Sequence, residues 1–428
     1  MRNPRALGVL LTVGLLSVST WAWQAPVPQA PAAPGGPAAA PGGPGGPGGR
    51  QGGRGGRGGV QIQAGEECPP GMTEVRPRTC QAPEFPVPSI VDYRPKSTLV
   101  TATHLVPKAK FPVVDVHGHP GNIDTPEALA ALVQAMDQLN VRVMISADNR
   151  SGERLRSALD NIAKSPYKDR FRVFGGIPMQ GVGPGWGAKA ALQLEADMKA
   201  GAVGVGEISK AFGLTTRKAD GSRLKVDDPE LDPLWATMAR LNLPVFIHTA
   251  EPQEFFQPLD MKNERWLELA LFRDRRNYEP GQVTFEELMV ERDNLFRKHP
   301  KTRFIAAHFG WHGNDLARAA KMLDTFPNVT TEVGAILYDL GRQPRAAREF
   351  FTKYQDRILF GKDAWQPDEY PYYWRVFETN DEYFDYYRDY HAFWKLYGMG
   401  LSDVVLRKVY YENALKVVPG LPTSGWPR

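Results

Sequence analysis

From residue 111 to residue 420 the chain alternates short runs of branched apolar residues with longer amphipathic stretches. The apolar runs at 113–116, 141–146, 171–177, 202–208, 245–248, 304–308, 329–333 and 358–361 are rich in Val, Ile and Phe, as buried strands are. Between them, apolar residues recur at the helical period over 126–139, 188–200, 233–241, 285–298 and 314–326. Eight strands alternating with helices over about 250 residues or more predict an α/β chain folded as a (β/α)8 TIM barrel. An open doubly wound sheet is the alternative, and it calls for a Gly-rich phosphate turn after its first strand. The sequence HGHP at 117–120 is no such turn.

Upstream this rhythm is missing. Arg2 and Arg5 precede an apolar run over 6–18, and Ser19, Thr20 and Ala22 follow it, the pattern of a secretory signal peptide over 1–22. Trp21 and Trp23 make the cleavage site irregular and leave an uncleaved anchor as the alternative. Residues 23–65 are Pro, Gly and Ala with an Arg-Gly-Gly run, too polar and too small to offset the cost of ordering, so a disordered Pro/Gly-rich tether is expected. Arg-Gly-Gly repeats also occur in RNA-binding segments. The repeat here lacks aromatic residues and follows an export signal, which favours a spacer. Residues 66–110 form a Pro-punctuated leader segment holding both cysteines, Cys68 and Cys80, expected to close one disulfide in an oxidising compartment.

Composition changes little in this picture. The net charge of +4, with 42% hydrophobic and 23% charged residues, is ordinary for a globular chain, and Arg50, Arg54 and Arg57 place part of the positive charge in the tether. Neither a nucleic acid nor a membrane surface is called for. No later run has the roughly 20 apolar residues of a membrane span. An exported, soluble protein, periplasmic or extracellular, acting on a small molecule is expected, and a homo-oligomer is compatible with the sequence.

Chemistry-bearing residues fall where barrel enzymes keep them, at the C-terminal ends of strands. His117 and His119 close the first strand, His248 the fifth and His308 the sixth, and Asp363 follows the eighth. Residues two apart on an extended segment face one side, so His117 and His119 can reach one point. A single such histidine is more often a core or loop residue; the repetition at four strand ends points to a metal centre.

The motifs DVHGH, PVFIHT, FIAAHFG and ILFGKDAW, with the closing VLRKVYYENALKVV, resemble the amidohydrolase superfamily, in particular the amidohydrolase-related branch that includes aminocarboxymuconate semialdehyde decarboxylase and lactonases. The resemblance covers residues 111–420. It implies a metal-dependent barrel in which His117, His119, His248 and Asp363 hold a divalent ion, while His308 polarises the substrate or binds a second ion. Imidazoles with a carboxylate suit Zn, with Mn or Fe as alternatives, and one or two ions fit the pattern. Glu207 at the fourth strand is a further candidate ligand, and Lys210 beyond it a substrate-contacting cation. Many relatives carry a small residue where Lys362 precedes Asp363; alternation along a strand turns Lys362 away from the metal.

Around the mouth, Asn263, Trp266, Trp311, His312, Arg342 and Trp365 are rim candidates, of which Trp311 and Arg342 are the substrate-binding choices. The aromatic run over 370–387 is expected to be a packing helix, and His104, His299 and His391 to be structural. The expected activity is metal-dependent hydrolysis of an amide, ester or lactone, with Asp363 and His308 catalytic. Decarboxylation at the same site is the alternative, and a non-catalytic surface binding protein a second one.

Overall fold

The computed structural model describes residues 59–86 and 89–427. The expected signal peptide and most of the expected tether lie outside these. The chain divides into two compact units, one ending at Val87 and the other beginning at Pro88. In the first, β1 (Val60–Gln61), β2 (Thr73–Arg76) and β3 (Thr79–Gln81) form a small antiparallel sheet in the order β1-β3-β2. The expected disulfide joins Cys68 to Cys80, and Cys80 is fully buried in β3. The structured part therefore starts earlier than expected: Val60, assigned to the tether, pairs with Cys80, because the disulfide-held hairpin offers β3 as an edge.

The second unit is the barrel. Its parallel strands are β4 (Val113–His119), β5 (Val141–Arg150), β6 (Phe171–Gly175), β7 (Val205–Ile208), β8 (Pro244–Ile247), β9 (Arg303–Ala306) and β10 (Val329–Glu332), each beside its sequence neighbour. The eighth strand is split. β11 (Ile358–Leu359) pairs with β10 and β12 (Asp363–Ala364) pairs with β4, while the Val116 amide donates to the Phe360 carbonyl at 3.0 Å. The segment between β11 and β12 thus closes the ring. Five of the seven intact strands lie within the predicted runs or extend them by a few residues. β8 and β9 instead start one residue early and stop one and two residues short, so His248 and His308 lie just past the strand ends they were expected to close.

Helices cover the outside. α1 (Pro126–Leu139) starts where Thr125 accepts from the Ala128 amide and ends at left-handed Asn140; it buries Leu129, Val133 and Met136 against the sheet. α2 (Gly152–Lys164), α3 (Trp186–Ala200), α4 (Asp232–Leu241) and α5 (Trp266–Leu271) follow the next strands. α6 (Phe285–Lys298) opens with a capping box between Thr284 and Glu287, which satisfies two backbone donors that a helix start leaves free. α7 (Leu316–Thr325), α8 (Leu337–Arg342) and α9 (Pro344–Lys353) precede β11. α10 (Tyr370–Glu378) takes up only the first half of the aromatic run expected to be a packing helix, with Trp374 and Tyr373 rings 4.8 Å and 5.8 Å from Phe360 in the split strand. That packing holds the segment from which Asp363 projects. Beyond α10, Phe384–Asp385 pairs as a short strand with Lys395–Leu396. No helix among the described residues is long and apolar enough to cross a membrane.

Candidate functional site

Successive side chains of β4 alternate, and the alternation decides what faces the barrel axis. His117 and His119 lie on one side with their Nε2 atoms 3.2 Å apart, as the spacing predicts. Both residues belong to β4 itself, which runs through them to His119. Gly118 between them has no room for a Cβ, which would stand 2.5 Å from Met144 Cγ.

The other predicted groups converge on this pair. Asp363 Oδ1 is 3.7 Å from His117 Nε2 and 3.6 Å from His119 Nε2. Glu207 lies among four imidazoles: its Oε2 is 3.2 Å from His119 Nε2 and 3.3 Å from His117 Nε2, and its Oε1 is 2.6 Å from His248 Nδ1 and 3.4 Å from His308 Nε2. His117, His119 and Asp363 form one group able to hold an ion, and His117, Glu207 and His308 a second. His248 belongs to neither group. Its Nδ1 faces Glu207 and His308, while its Nε2 donates to the Ala250 carbonyl at 2.8 Å.

The outer nitrogens of the histidines are anchored. His117 Nδ1 donates to Glu332 Oε1 at 3.2 Å, His119 Nδ1 to Asp148 Oδ1 at 3.1 Å and His308 Nδ1 to the Gly334 carbonyl at 2.8 Å. Each bond fixes a tautomer in which Nε2 keeps its lone pair toward the cluster, the arrangement metal-bound histidines take. Glu332 is fully buried and also accepts from the amides of His308, at 2.6 Å, and Gly334. Gly334 and Gly361 make room for it: a Cβ on either would stand 2.7 Å or 2.5 Å from Glu332 Oε2.

Charge at the site is unbalanced toward anion. Burial alone would lower the His117 pKa, but Glu207 and Glu332 raise it well above the ordinary value. Burial also opposes the charge on His119, and Asp148 and Glu207 carry its pKa up to about 9. Burial would raise Glu207, yet His117 and His248 hold it well below the usual carboxylate range, and Asp363 is held low by His117 and His308 against the same penalty. Carboxylates and imidazoles packed so closely call for positive charge between them, supplied by protons or by a divalent cation. With lone pairs converging and outer shells satisfied, the donor set fits a divalent metal.

The cluster opens onto a cavity of about 560 Å³ lined by His119, Glu207, His248, His308 and Asp363. Lys210 and Trp311 line it as expected; Lys210 stands 3.8 Å from Glu251, and Trp311 donates from Nε1 to the Ala250 carbonyl at 3.1 Å. Arg342 does not line it. Its guanidinium is engaged by Glu264 and Asp339 and lies over the Trp394 ring, so the substrate-contacting role expected of it is corrected. Asn263 is a loop staple donating to the Glu254 carbonyl at 2.9 Å, and Trp365 packs on Tyr370. Lys362 points away from the cluster, pairing with Glu369 and donating to the Ala364 carbonyl, as strand alternation requires. His104 and His299 pair with Asp381 and Asp232 and are structural, whereas His391, expected to be so, lines the cavity.

Sequence reasoning missed Asp148, Glu332 and the cavity arginines Arg265, Arg275 and Arg388. Glu332 left a trace: a carboxylate ending an apolar strand is buried only with partners. The arginines sit on loops or in and beside short helices, where no periodicity marks them.

No curated protein matches the chain. Among solved structures it is similar to 2,6-dihydroxybenzoate decarboxylase from Rhizobium, at 18% identity and a TM-score of 0.44 over 72% of this chain and 98% of that one. It is also similar to 5-carboxyvanillate decarboxylase from Sphingomonas paucimobilis, at 14% identity and a TM-score of 0.43, covering 72% and 99%. A third is 4-oxalomesaconate hydratase from Rhodopseudomonas palustris, at 12% identity and a TM-score of 0.42, covering 72% and 95%. The family model of the amidohydrolases matches residues 102–420, most of the chain and the whole of the site just described, and the protein therefore belongs to the amidohydrolase family of enzymes.

Proposed function

We propose that this protein is a metal-dependent hydrolase acting on an amide, ester or lactone of a small molecule. The observation that carries the reading is the position of Asp363. Its carboxylate is held ionised, within 3.7 Å of two histidine Nε2 atoms, beside an open cavity. His117, His119 and Asp363 would hold the ion, with His248 or Glu207 completing its shell, and zinc suits this set best. A divalent cation there supplies Lewis acidity toward water or a carbonyl oxygen. Asp363 accepts a proton from the attacking water and returns it to the leaving group. His308, oriented by the Gly334 carbonyl behind it, keeps an Nε2 lone pair toward the cluster, where it would bind a second ion or position the substrate.

Decarboxylation is the second reading, favoured by one observation: three arginines line the same cavity and suit a carboxylated substrate. Acid production at constant pH from small amides and lactones supports hydrolysis. Carbon dioxide release without hydrolysis overturns it. Metal analysis of the purified protein with His117→Ala and Asp363→Ala tests the centre itself; unchanged metal in both variants ends the assignment. The disulfide supports an exported protein.

A further inference from the structure

The wall of the reaction cavity contains groups that hydrolysis at the His117–Asp363 cluster does not use. Arg265 is 1% exposed and lines the cavity, yet its Nε and Nη2 have no hydrogen-bond partner. Its Nη1 donates to Glu268 Oε2 at 2.6 Å; the nearest carboxylate oxygen to Nε belongs to Glu254, at 3.7 Å. The guanidinium lies over the Tyr338 ring at 4.3 Å and near Trp394 and Phe255, so its plane is held. His391, 5% exposed on the same wall, has an Nε2 likewise without a hydrogen-bond partner, the nearest carboxylate oxygen being Glu268 Oε1 at 3.5 Å. Burial and then Arg265, Arg388 and Arg275 hold its pKa down to about 2, so the ring is neutral and Nε2 is free to carry a proton as a donor.

The remaining charges on this wall are paired. Glu268 lies between Arg265 and Arg275, and Arg388 donates to Glu369 from Nε at 2.9 Å and Nη2 at 2.8 Å. Bulk positive charge is therefore small. What is left is a geometric match: two adjacent nitrogens of a fixed guanidinium edge form the fork that receives the two oxygens of a carboxylate. Buried donors without partners are rare in native interiors, and a ligand is one way to satisfy them.

We infer that Arg265 and His391 form a seat for a substrate carboxylate, which places the rest of an aromatic or aliphatic acid against Phe255, Tyr338 and Trp311 with its reacting group toward Asp363. The inference rests on the reading of the His–Asp cluster as the reaction centre. It narrows the substrate class to molecules bearing a carboxylate apart from the bond that reacts.

Calorimetric titration of the full chain with benzoate, benzamide and inorganic phosphate tests it, on zinc-loaded and chelator-treated protein. Benzoate is expected to bind both forms, with benzamide and phosphate at least tenfold weaker. Arg265→Lys keeps the charge and the apolar stem but not the fork, and weakens benzoate at least tenfold. His391→Phe keeps the ring and removes the donor, weakening it severalfold, and carries the test if Arg265→Lys does not fold. Benzoate binding within twofold of wild type in the folded variants overturns the seat. So does benzoate binding that needs zinc, or phosphate binding as tightly. Zinc content and turnover of the same preparations report separately on the cluster: protein that takes benzoate but no zinc refutes the hydrolase reading and leaves the seat standing.

Discussion

Replacing Glu332 by Gln separates holding the metal ligands from being one. Glu332 has no contact with the cavity but accepts from three buried donors: His117 Nδ1–H, the His308 amide and the Gly334 amide. Burial penalises its charge, and His117 offsets that penalty so that the carboxylate stays ionised. Glutamine keeps the volume but offers one carbonyl oxygen, and its amide group must face a donor in place of an acceptor. At least one N–H is then unsatisfied, at a cost of about 1–3 kcal/mol. Part of it falls on His117, whose ring loses the bond that fixes its tautomer. Loss of such an outer partner weakens metal binding about 10- to 100-fold, or about 1.4–2.7 kcal/mol. Competition with a chromophoric zinc chelator near neutral pH reads this directly, and thermal unfolding of the metal-free variant reads the structural part. Zinc affinity within twofold of wild type, with only the unfolding transition lowered, would falsify the positioning role.

Gly361→Ala puts a Cβ 2.5 Å from Glu332 Oε2 and 2.6 Å from His117 Cβ, so it should cost about 1–3 kcal/mol in calorimetry and lower zinc occupancy; full occupancy would contradict the close packing. His312 is buried, accepts from Arg292 Nη2 at 3.2 Å, and is held near pKa 2 by burial and then by Arg292 and Arg318. Because its folded pKa lies below the unfolded value of about 6.5, the unfolded chain takes the proton first: stability is intact above that value and falls as the pH drops below it, by about 2 kcal/mol at pH 5. Denaturation at pH 7 and pH 5 should show that slope reduced in His312→Gln, and an equal slope in both proteins would count against it. Reduction of the Cys68–Cys80 disulfide should destabilise the small sheet by about 3 kcal/mol, seen as faster hydrogen exchange at the amides of β2 and β3; unchanged exchange would show the sheet is held by other contacts.

The cluster was legible because barrel topology turns strand order into proximity. His117, His248, His308 and Asp363 lie far apart in the chain and meet because each follows a run of apolar residues ending at the same face of the sheet. Alternation along a strand is equally local, so the opposed directions of Lys362 and Asp363 follow from their adjacency. Arg342 and Arg265 show where that logic stops. Both are arginines near the barrel mouth, and which one reaches the cavity depends on how the connections after β8 and β10 pack, with Arg342 drawn off by Glu264 and Asp339. The turns at the strand ends are illegible for a further reason. Asn149, Ala250, His308, Phe309, Trp311, Ala335 and Asp363 all have positive φ, a region that costs a non-glycine residue about 1–3 kcal/mol and that Ala, Phe and Trp do not mark in sequence. Asn149, His308, Trp311, Ala335 and Asp363 line the cavity. The left-handed backbone over 308–311 aims His308 Nε2 at His248 and Glu207, and Glu332, accepting the His308 amide, holds that backbone. The same carboxylate therefore orients His117 through its ring and His308 through its backbone, which couples the two groups of candidate ligands through one residue behind them.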